Sequence, residues 1–203
     1  MKTKEYITGK IKKMIPASRL AHTMAAADTS VLLADKYGVD SEKARIAALV
    51  HDCAKGMSIK ALCRYALKNK IFHVFPNGMR HLLHGYVAAH MAGRLFQIRD
   101  RQILNAVKYH STGRPGMSAL EKVIFIADYI EPGRKFKGRK KLYKTAIKGR
   151  HKIDMLMFII LQSKLSYLVS RGCVIHENSW KLWNRIISQN SFKLMDKNID
   201  KSL

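Results

Sequence analysis

Apolar residues recur at helical spacing along almost the whole of this chain, and this periodicity constrains the fold more than any other feature of the sequence. Residues three and four positions apart share one face of an α-helix, whereas a half-buried strand needs strict alternation of apolar and polar residues. Such alternation, flanked by hairpin dipeptides, is absent from the sequence. The pattern therefore predicts an all-α fold, a helical bundle whose apolar stripes face a common core.

Capping and turn residues predict where the helices begin and end. Ser18 is a candidate N-cap for a helix that ends at Gly38, and Ser41 is a candidate N-cap for the next one. Proline after Glu131 is expected to end another helix, because it disfavours helical geometry in the residue before it. Further helices are predicted to begin near Ser58, Met79, Asp100, Ser118 (a capping box with Glu121) and His176, and to cover 155–169. We expect one domain over 1–190 and a polar tail over 191–203.

The charge balance is strongly basic, with 38 Lys and Arg against 14 Asp and Glu and a net charge of +24. Such an excess concentrates polyanions near a protein, although a general compositional bias toward lysine would produce the same number. The run 134–152 contains ten basic and no acidic residues, and it is either a solvated face or a polyanion-binding patch. Weak RNA binding through Arg134 to Lys152 and homodimerisation are the further associations that we consider.

The chain is expected to be cytoplasmic, with no membrane partner. No apolar run approaches the roughly 18 residues that span a bilayer, and the first residues lack the apolar segment of a signal peptide. Cys53, Cys63 and Cys173 lack CxxC spacing. An odd number of widely spaced cysteines fits reduced thiols better than disulfides or a thiolate zinc site.

A set of histidines and aspartates is the most informative feature for function. His51 and Asp52 are adjacent at the end of an alanine-rich helix, where the helix must end or bulge for both to reach one ion. The other candidates are His22, His84, His110 and Asp128, each on a different predicted helix or helix end. Helical bundles build metal sites from such inward-facing ligands, and imidazoles with carboxylates suit iron, manganese, cobalt, nickel or zinc. A metal there would activate water for the hydrolysis of phosphate esters or anhydrides.

Five motifs then resemble a known family. In chain order they are Arg19-Leu-Ala-His22-Thr, His51-Asp52-Cys-Ala-Lys55, Leu-Leu-His84-Gly, Tyr-His110-Ser-Thr-Gly113 and Ile-Ala-Asp128-Tyr-Ile-Glu-Pro-Gly-Arg134. They resemble the HD-domain superfamily and, more narrowly, its YqeK-type symmetrical bis(5′-nucleosyl)-tetraphosphatases. The resemblance covers about residues 4 to 190. It implies an HD-domain helical bundle and an iron-dependent enzyme that cleaves diadenosine tetraphosphate into two ADP.

The resemblance also implies roles for individual residues. Metal ligands would be His22, His51, Asp52 and Asp128, and His84 and His110 would face the phosphates or join a second ion. The implied catalytic residues are Asp52, His51 and Lys55. The implied substrate-binding residues are Arg19, Cys53, Ala54, Lys55, His84, His110, Ser111, Arg134 and Asn184. Cys53 departs mildly from the family pattern, in which an aliphatic residue is more usual.

The mechanism expected from these residues is attack of a metal-bound water on a central phosphorus, with Asp52 or a neighbouring imidazole accepting the proton. Two alternatives belong to other classes. One is an HD phosphohydrolase that acts on a nucleoside triphosphate, a cyclic dinucleotide or an alarmone, and the pattern of products would separate it. The other is a basic RNA-binding or ribosome-associated protein, whose binding would weaken steeply with salt.

Overall fold

The computed structural model describes residues 2–71 and 78–189, and over these it contains ten α-helices, one 3₁₀ turn and no strand. The predicted all-α fold is thus confirmed. The helices are α1 (Lys4–Met14), α2 (Ala17–Tyr37), α3 (Ser41–Val50), α4 (Ile59–Lys68), α5 (Leu83–Leu95), α6 (Arg101–Tyr109), α7 (Ala119–Ile130), α8 (Arg139–Lys148), α9 (Ile153–Ser170) and α10 (Glu177–Ser188). The tail over 191–203 lies outside the described residues, and the single domain over 1–190 stays a prediction.

Three of the predicted N-caps lie where the sequence places them. The side chains of Ser58 and Asp100 accept backbone N–H groups in the first turns of α4 and α6. Ser118 forms the expected capping box with Glu121 at the start of α7. At the other end of α2, Gly38 takes a φ of 66°, a left-handed conformation that glycine adopts without steric cost. Each of these signals is local, because the cap satisfies backbone groups of its own helix.

Two predicted N-caps are wrong. Ser18 lies inside the first turn of α2, and Pro16 is the residue that precedes the helix. At α3 the cap is Asp40, whose side chain accepts the N–H of Lys43 at 2.9 Å, while the Ser41 hydroxyl donates to Asp35. Because the Asp40 carboxylate accepts a backbone N–H of the first turn, the Ser41 hydroxyl is not needed as a cap and bonds to Asp35 instead.

Helix α7 lies at the centre of the bundle and is buried on nearly every side. It packs against α2, α3, α6, α8 and α9. Nine of its twelve residues are buried, among them Phe125, Ile126 and Asp128. Because an all-round apolar helix can only be accommodated in a core, a carboxylate on it is held inside the protein rather than at the surface. This position fixes Asp128 beside the ends of the neighbouring helices.

Helix α9 is, among the described residues, the one helix that is long and apolar enough to cross a membrane by length and composition. The same properties are those of a core helix, and α9 packs against α7 and α10. Five of its eighteen residues are buried, among them Leu156, Phe158 and Leu161, and Phe158 stacks on Trp183 of α10 with 5.1 Å between ring centroids. The apolar run thus serves to attach α9 and α10 to the central helix.

The basic run 134–152 includes α8, a helix that the sequence analysis did not predict. Leu142 and Ala146 are its buried residues. Eight of the ten basic side chains of the run are exposed. Lys36 of α2 donates to the carbonyl oxygens of Ala146 and Gly149 at 2.6 and 2.5 Å and so satisfies the C-terminal end of α8.

Candidate metal centre

Six predicted site residues converge in the interior from five parts of the bundle. His22 comes from α2, His84 from the first turn of α5 and Asp128 from α7. His51 and His110 occupy the C-cap positions of α3 and α6, and Asp52 follows His51 in the turn after α3. All except His22 are less than 9% exposed. The structure therefore brings together residues that are spread over 107 positions of the sequence, from His22 to Asp128.

Contacts with the backbone fix the orientation of three of the histidine rings. Nδ1 of His51 lies 2.6 Å from the carbonyl oxygen of Ala48, Nδ1 of His84 2.6 Å from that of His81, and Nδ1 of His110 2.7 Å from that of Val107. A carbonyl can only accept, so Nδ1 must carry the proton in each ring. A neutral ring in that tautomer presents the Nε2 lone pair to the centre, as a metal-ligating histidine does.

The first cluster combines Nε2 of His22 and of His51 with one oxygen each of Asp52 and Asp128. The two Nε2 atoms are 3.3 Å apart, and Asp128 Oδ1 lies 3.2 Å from His22 Nε2 and 3.7 Å from His51 Nε2. Oδ2 of Asp52 lies 3.8 and 3.7 Å from the same two nitrogens. Ligands about 2.1 Å from a metal stand roughly 3.0 to 3.4 Å apart. These donors are within a few tenths of an ångström of that spacing.

The second cluster uses the other oxygen of the same aspartate. Oδ1 of Asp52 lies 3.3 Å from Nε2 of His84 and 3.5 Å from Nε2 of His110, and these two nitrogens are 3.1 Å apart. The Ser111 hydroxyl lies 3.0 Å from His110 Nε2. Asp52 Oδ1 is a buried side-chain oxygen that accepts no hydrogen bond among the described residues. A buried anionic oxygen between two ring nitrogens needs a cation, and Asp52 is placed to bridge two of them.

Electrostatics favour a cation in this centre. Burial raises the pKa of Asp128, but the surrounding rings and Arg134 outweigh burial and hold that pKa well below its usual range. The pKa of Asp52 is likewise lowered, because the neighbouring histidines outweigh its burial. Although burial alone lowers the pKa of His51, Asp52 and Asp128 raise it. Two ionised carboxylates thus draw positive charge into the first cluster, while burial lowers the pKa of His110 to about 4 and keeps that ring neutral.

Glu131 is a functional candidate that the sequence analysis missed. Its carboxylate is 3.1 Å from Nδ1 of His22, and the residue is 1% exposed. A buried carboxylate on the outer nitrogen of a metal-ligating imidazole fixes the tautomer and raises the basicity of the ring. The signal in the sequence was a glutamate directly before Pro132, three residues after Asp128, in a motif that was already singled out.

The same turn places a guanidinium against Asp128. Helix α7 ends at Ile130 with Glu131 as its C-cap, directly before the proline as predicted, and the Gly133 N–H donates to the Glu131 carboxylate. The N–H of Arg134 donates to the carbonyl oxygen of Glu131 at 3.1 Å, which folds the chain back. Arg134 then donates to the carbonyl oxygen of Asp128 at 2.8 Å and to the Asp128 carboxylate. On the opposite side Arg19 lies 3.3 Å from Oδ2 of Asp52.

The remaining predicted substrate-binding residues lie at different distances from this centre. The Lys55 ammonium is 3.2 Å from Nε2 of His84 and borders the second cluster. Cys53 and Ala54 are buried, and the Cys53 thiol lies 3.8 Å from the carbonyl oxygen of Ala88, on α5. Burial raises the pKa of Cys53 to about 12, so this thiol is neither a metal ligand nor a nucleophile at neutral pH. Asn184 is exposed on α10.

The donor set therefore fits a divalent transition metal. The ring nitrogens and carboxylate oxygens are of the types that iron, manganese, cobalt, nickel and zinc accept, and their spacing suits direct coordination. Two groups of donors qualify among residues 2–71 and 78–189, namely His22, His51 and Asp52, and Asp52, His84 and His110. Asp128 completes the first group with a fourth ligand.

Comparison with known proteins agrees with this geometry. Residues 19–133 match the HD domain family. The chain is 31% identical over 178 residues to the symmetrical bis(5′-nucleosyl)-tetraphosphatase of Bacillus subtilis, an alignment that covers 88% of this chain and 94% of the relative. It is 32% identical over 182 residues to the protein of the same description from Halalkalibacterium halodurans, with 87% and 93% covered.

A solved structure has the same fold. It is the crystal structure of a protein from Clostridium acetobutylicum described as a predicted HD superfamily hydrolase involved in NAD metabolism. The two chains superpose with a TM-score of 0.84 at 35% sequence identity, and the match covers 93% of this chain and 99% of the other.

Proposed function

The chain belongs to the HD domain family and, within it, to the symmetrical bis(5′-nucleosyl)-tetraphosphatases, and from this membership we propose that it hydrolyses diadenosine tetraphosphate into two ADP. The enzyme is a metal-dependent phosphohydrolase. One observation carries the proposal: Asp52 directs each carboxylate oxygen toward a separate group of histidine nitrogens, at 3.3 to 3.8 Å. Neither the HD phosphohydrolase acting on another nucleotide nor the RNA-binding protein is favoured by the relatives of this chain.

Two ions are proposed to share Asp52. His22, His51 and Asp128 would hold the first ion together with Oδ2 of Asp52, and His84 and His110 would hold the second with Oδ1. A bound divalent metal lowers the pKa of a coordinated water and offsets negative charge on a phosphoryl group. Because the pKa of Asp52 is held well below its usual range, the carboxylate is ionised at neutral pH and would serve both ions as a ligand.

The cations at the rim are proposed to bind the polyphosphate. Arg19 and Arg134 contact the carboxylates of Asp52 and Asp128 through one nitrogen each, and a guanidinium has five N–H donors and can bind two phosphate oxygens at once. Lys55 has no carboxylate partner among the described residues, and its ammonium contacts the ring of His84 instead. It is therefore suited to offset the charge of the departing ADP. Symmetrical cleavage requires attack at one of the two central phosphorus atoms.

Product analysis tests the proposal. Metal-replete protein is incubated with diadenosine tetraphosphate, and the nucleotides are separated by chromatography. ADP as the sole nucleotide product supports symmetrical hydrolysis. AMP with ATP would mean attack at an outer phosphorus and would overturn the assignment, and hydrolysis of a nucleoside triphosphate in preference to this substrate would favour the other HD activity.

Iron is the metal that we propose, as the resemblance to the YqeK-type enzymes implies; imidazole and carboxylate ligands suit iron, as they also suit manganese, cobalt, nickel and zinc. Metal analysis of protein purified without oxygen, compared with activity after reconstitution by each divalent metal, tests this choice. A cytoplasmic location is proposed from the nucleotide substrate and the three unbridged cysteines. Homodimerisation and weak RNA binding through 134–152 stay predictions, checked by light scattering and by salt-dependent RNA binding.

A further inference from the structure

Lys164 lies in the middle of α9, outside the 19–133 segment that matches the HD domain family. It interrupts the most apolar long helix of the described residues and is half-buried. Its ammonium donates to the carbonyl oxygen of Ser111 at 2.8 Å and lies 4.3 Å from the centre of the Phe125 ring. Burying a lysine ammonium among apolar residues costs free energy unless the charge is paired with an anion or hydrogen-bonded.

The surroundings of Lys164 belong to the candidate metal centre. Ser111 links it to that centre, because the Ser111 hydroxyl lies 3.0 Å from Nε2 of His110. The charged groups that act on the ammonium are Asp128, which belongs to the first cluster, and Arg134 and Lys55, which border the two clusters. Tyr129, on the adjacent turn of α7, has its ring centre 6.0 Å from the ammonium. The side chain therefore reaches from α9 to the rim of the site.

This ammonium has no carboxylate partner in the part of the chain that the structure describes. Arg19 and Arg134 are paired with Asp52 and Asp128, whereas Lys164 donates to one neutral carbonyl. An ammonium has three N–H donors, so two are left for another acceptor. Burial lowers the pKa of Lys164 to about 8, because the ammonium is withdrawn from water without a carboxylate in contact with it.

We propose that Lys164 is a phosphate-binding residue of this site, which donates to a phosphate oxygen of the substrate and of the product on the Ser111 side of the second cluster. This inference rests on the proposed function only in that the ligand carries phosphate groups. It gives α9 a part in substrate binding and adds a fourth cation to Arg19, Lys55 and Arg134.

Affinity for inorganic pyrophosphate and for ADP tests the inference with the metal-loaded full chain. Calorimetric titrations compare the wild type with Lys164→Met, Lys164→Arg and the control Lys10→Met, which removes one exposed lysine from α1. We expect Lys164→Met to weaken both ligands by about ten- to a hundredfold, the usual effect of losing a hydrogen bond to a charged group. Lys164→Arg should restore most of the affinity, and Lys10→Met should match the wild type.

A second measurement covers the case in which Lys164→Met does not fold. In a crystal structure of the wild type with ADP, a phosphate oxygen about 3 Å from the Lys164 ammonium is expected. The inference is overturned if that ammonium keeps Ser111 as its sole partner, or if Lys164→Met binds pyrophosphate as tightly as Lys10→Met. Pyrophosphate contains no nucleoside, so these results stand apart from the hydrolase assignment, which the products of diadenosine tetraphosphate test separately.

Discussion

Replacement of Glu131 by glutamine is the sharpest test of how the metal centre is held. The carboxylate of Glu131 is 1% exposed and accepts from Nδ1 of His22 at 3.1 Å. Glutamine has nearly the same shape and can still accept there through its carbonyl oxygen, but it carries no charge, and its NH₂ group cannot accept the Gly133 N–H as the second carboxylate oxygen does. The substitution therefore changes the electrostatics of the His22 ring while leaving its packing almost unaltered.

The expected loss of metal affinity follows from the contact between Glu131 and His22. A hydrogen bond to a charged group contributes about 1.5 to 3 kcal/mol and a neutral one about 0.5 to 1.5 kcal/mol, so the exchange costs about 1 to 2 kcal/mol. That range corresponds to roughly a 5- to 30-fold change in an equilibrium constant. Loss of the outer carboxylate of a metal-ligating histidine typically costs about 10- to 100-fold in affinity. We expect Glu131→Gln to bind metal about tenfold more weakly.

The assay is a titration of metal-free protein with cobalt(II) against a chromophoric chelator, with circular dichroism as the check on folding. Glu121→Gln is the matched control, because Glu121 is also buried on α7 but pairs with Arg114 at the other end of the helix. It should lower the melting temperature and leave the metal affinity unchanged. Equal metal affinity in Glu131→Gln and the wild type would refute the role assigned to Glu131.

Three further predictions concern the site and its frame. Asp52→Ala should abolish hydrolysis of diadenosine tetraphosphate while the helical circular dichroism spectrum persists, because both clusters lose a ligand; retained turnover would contradict the assignment. A Cβ at Gly85 would lie 2.8 Å from a backbone carbonyl oxygen of α6, so Gly85→Ala should lower the melting temperature. Gly93→Ala on the same helix should not, because its Cβ would lie 3.6 Å from the nearest atom, an ordinary van der Waals contact. Alkylation at pH 8 should modify the exposed Cys173 and spare the buried Cys53, whose pKa is about 12. Peptide mass spectrometry identifies the modified cysteine, and alkylation of Cys53 as fast as that of Cys173 would contradict its burial.

The fold follows from the sequence wherever a signal is local. The caps at Ser58, Asp100 and Ser118 are correct because each one bonds within its own first turn. The error at Ser41 arises because two adjacent residues can both cap, and the choice between them depends on backbone geometry that composition does not encode. Helix α8 was missed because it buries two residues, too few to stand out as an apolar stripe.

The convergence of the histidines and aspartates of the candidate metal centre could be predicted because these residue types are costly to bury without a partner. The residues that support them could not, since their partners are far away in the sequence. Glu131 contacts a histidine 109 residues earlier, and Lys164 contacts a carbonyl 53 residues earlier. Both nevertheless leave a trace: one is an acid beside a proline turn, and the other is a single cation in the apolar segment 155–169.

The proposed metal ligands and the proposed substrate-binding residues Lys164 and Asn184 come from different parts of the bundle. The proposed metal ligands come from α2, α5 and α7 and from the C-terminal ends of α3 and α6, within the 19–133 segment that matches the HD domain family. Lys164 and Asn184 come from α9 and α10, which pack on α7 from outside that segment or against each other. A common metal frame can therefore serve different phosphate substrates when the helices that follow it change. In this chain, Lys55 and Lys164 are two ammonium groups at the rim that have no carboxylate partner among the described residues. Such groups suit a substrate with a long polyphosphate, because each added phosphate brings negative charge, and a guanidinium that is already paired with a carboxylate neutralises only part of it.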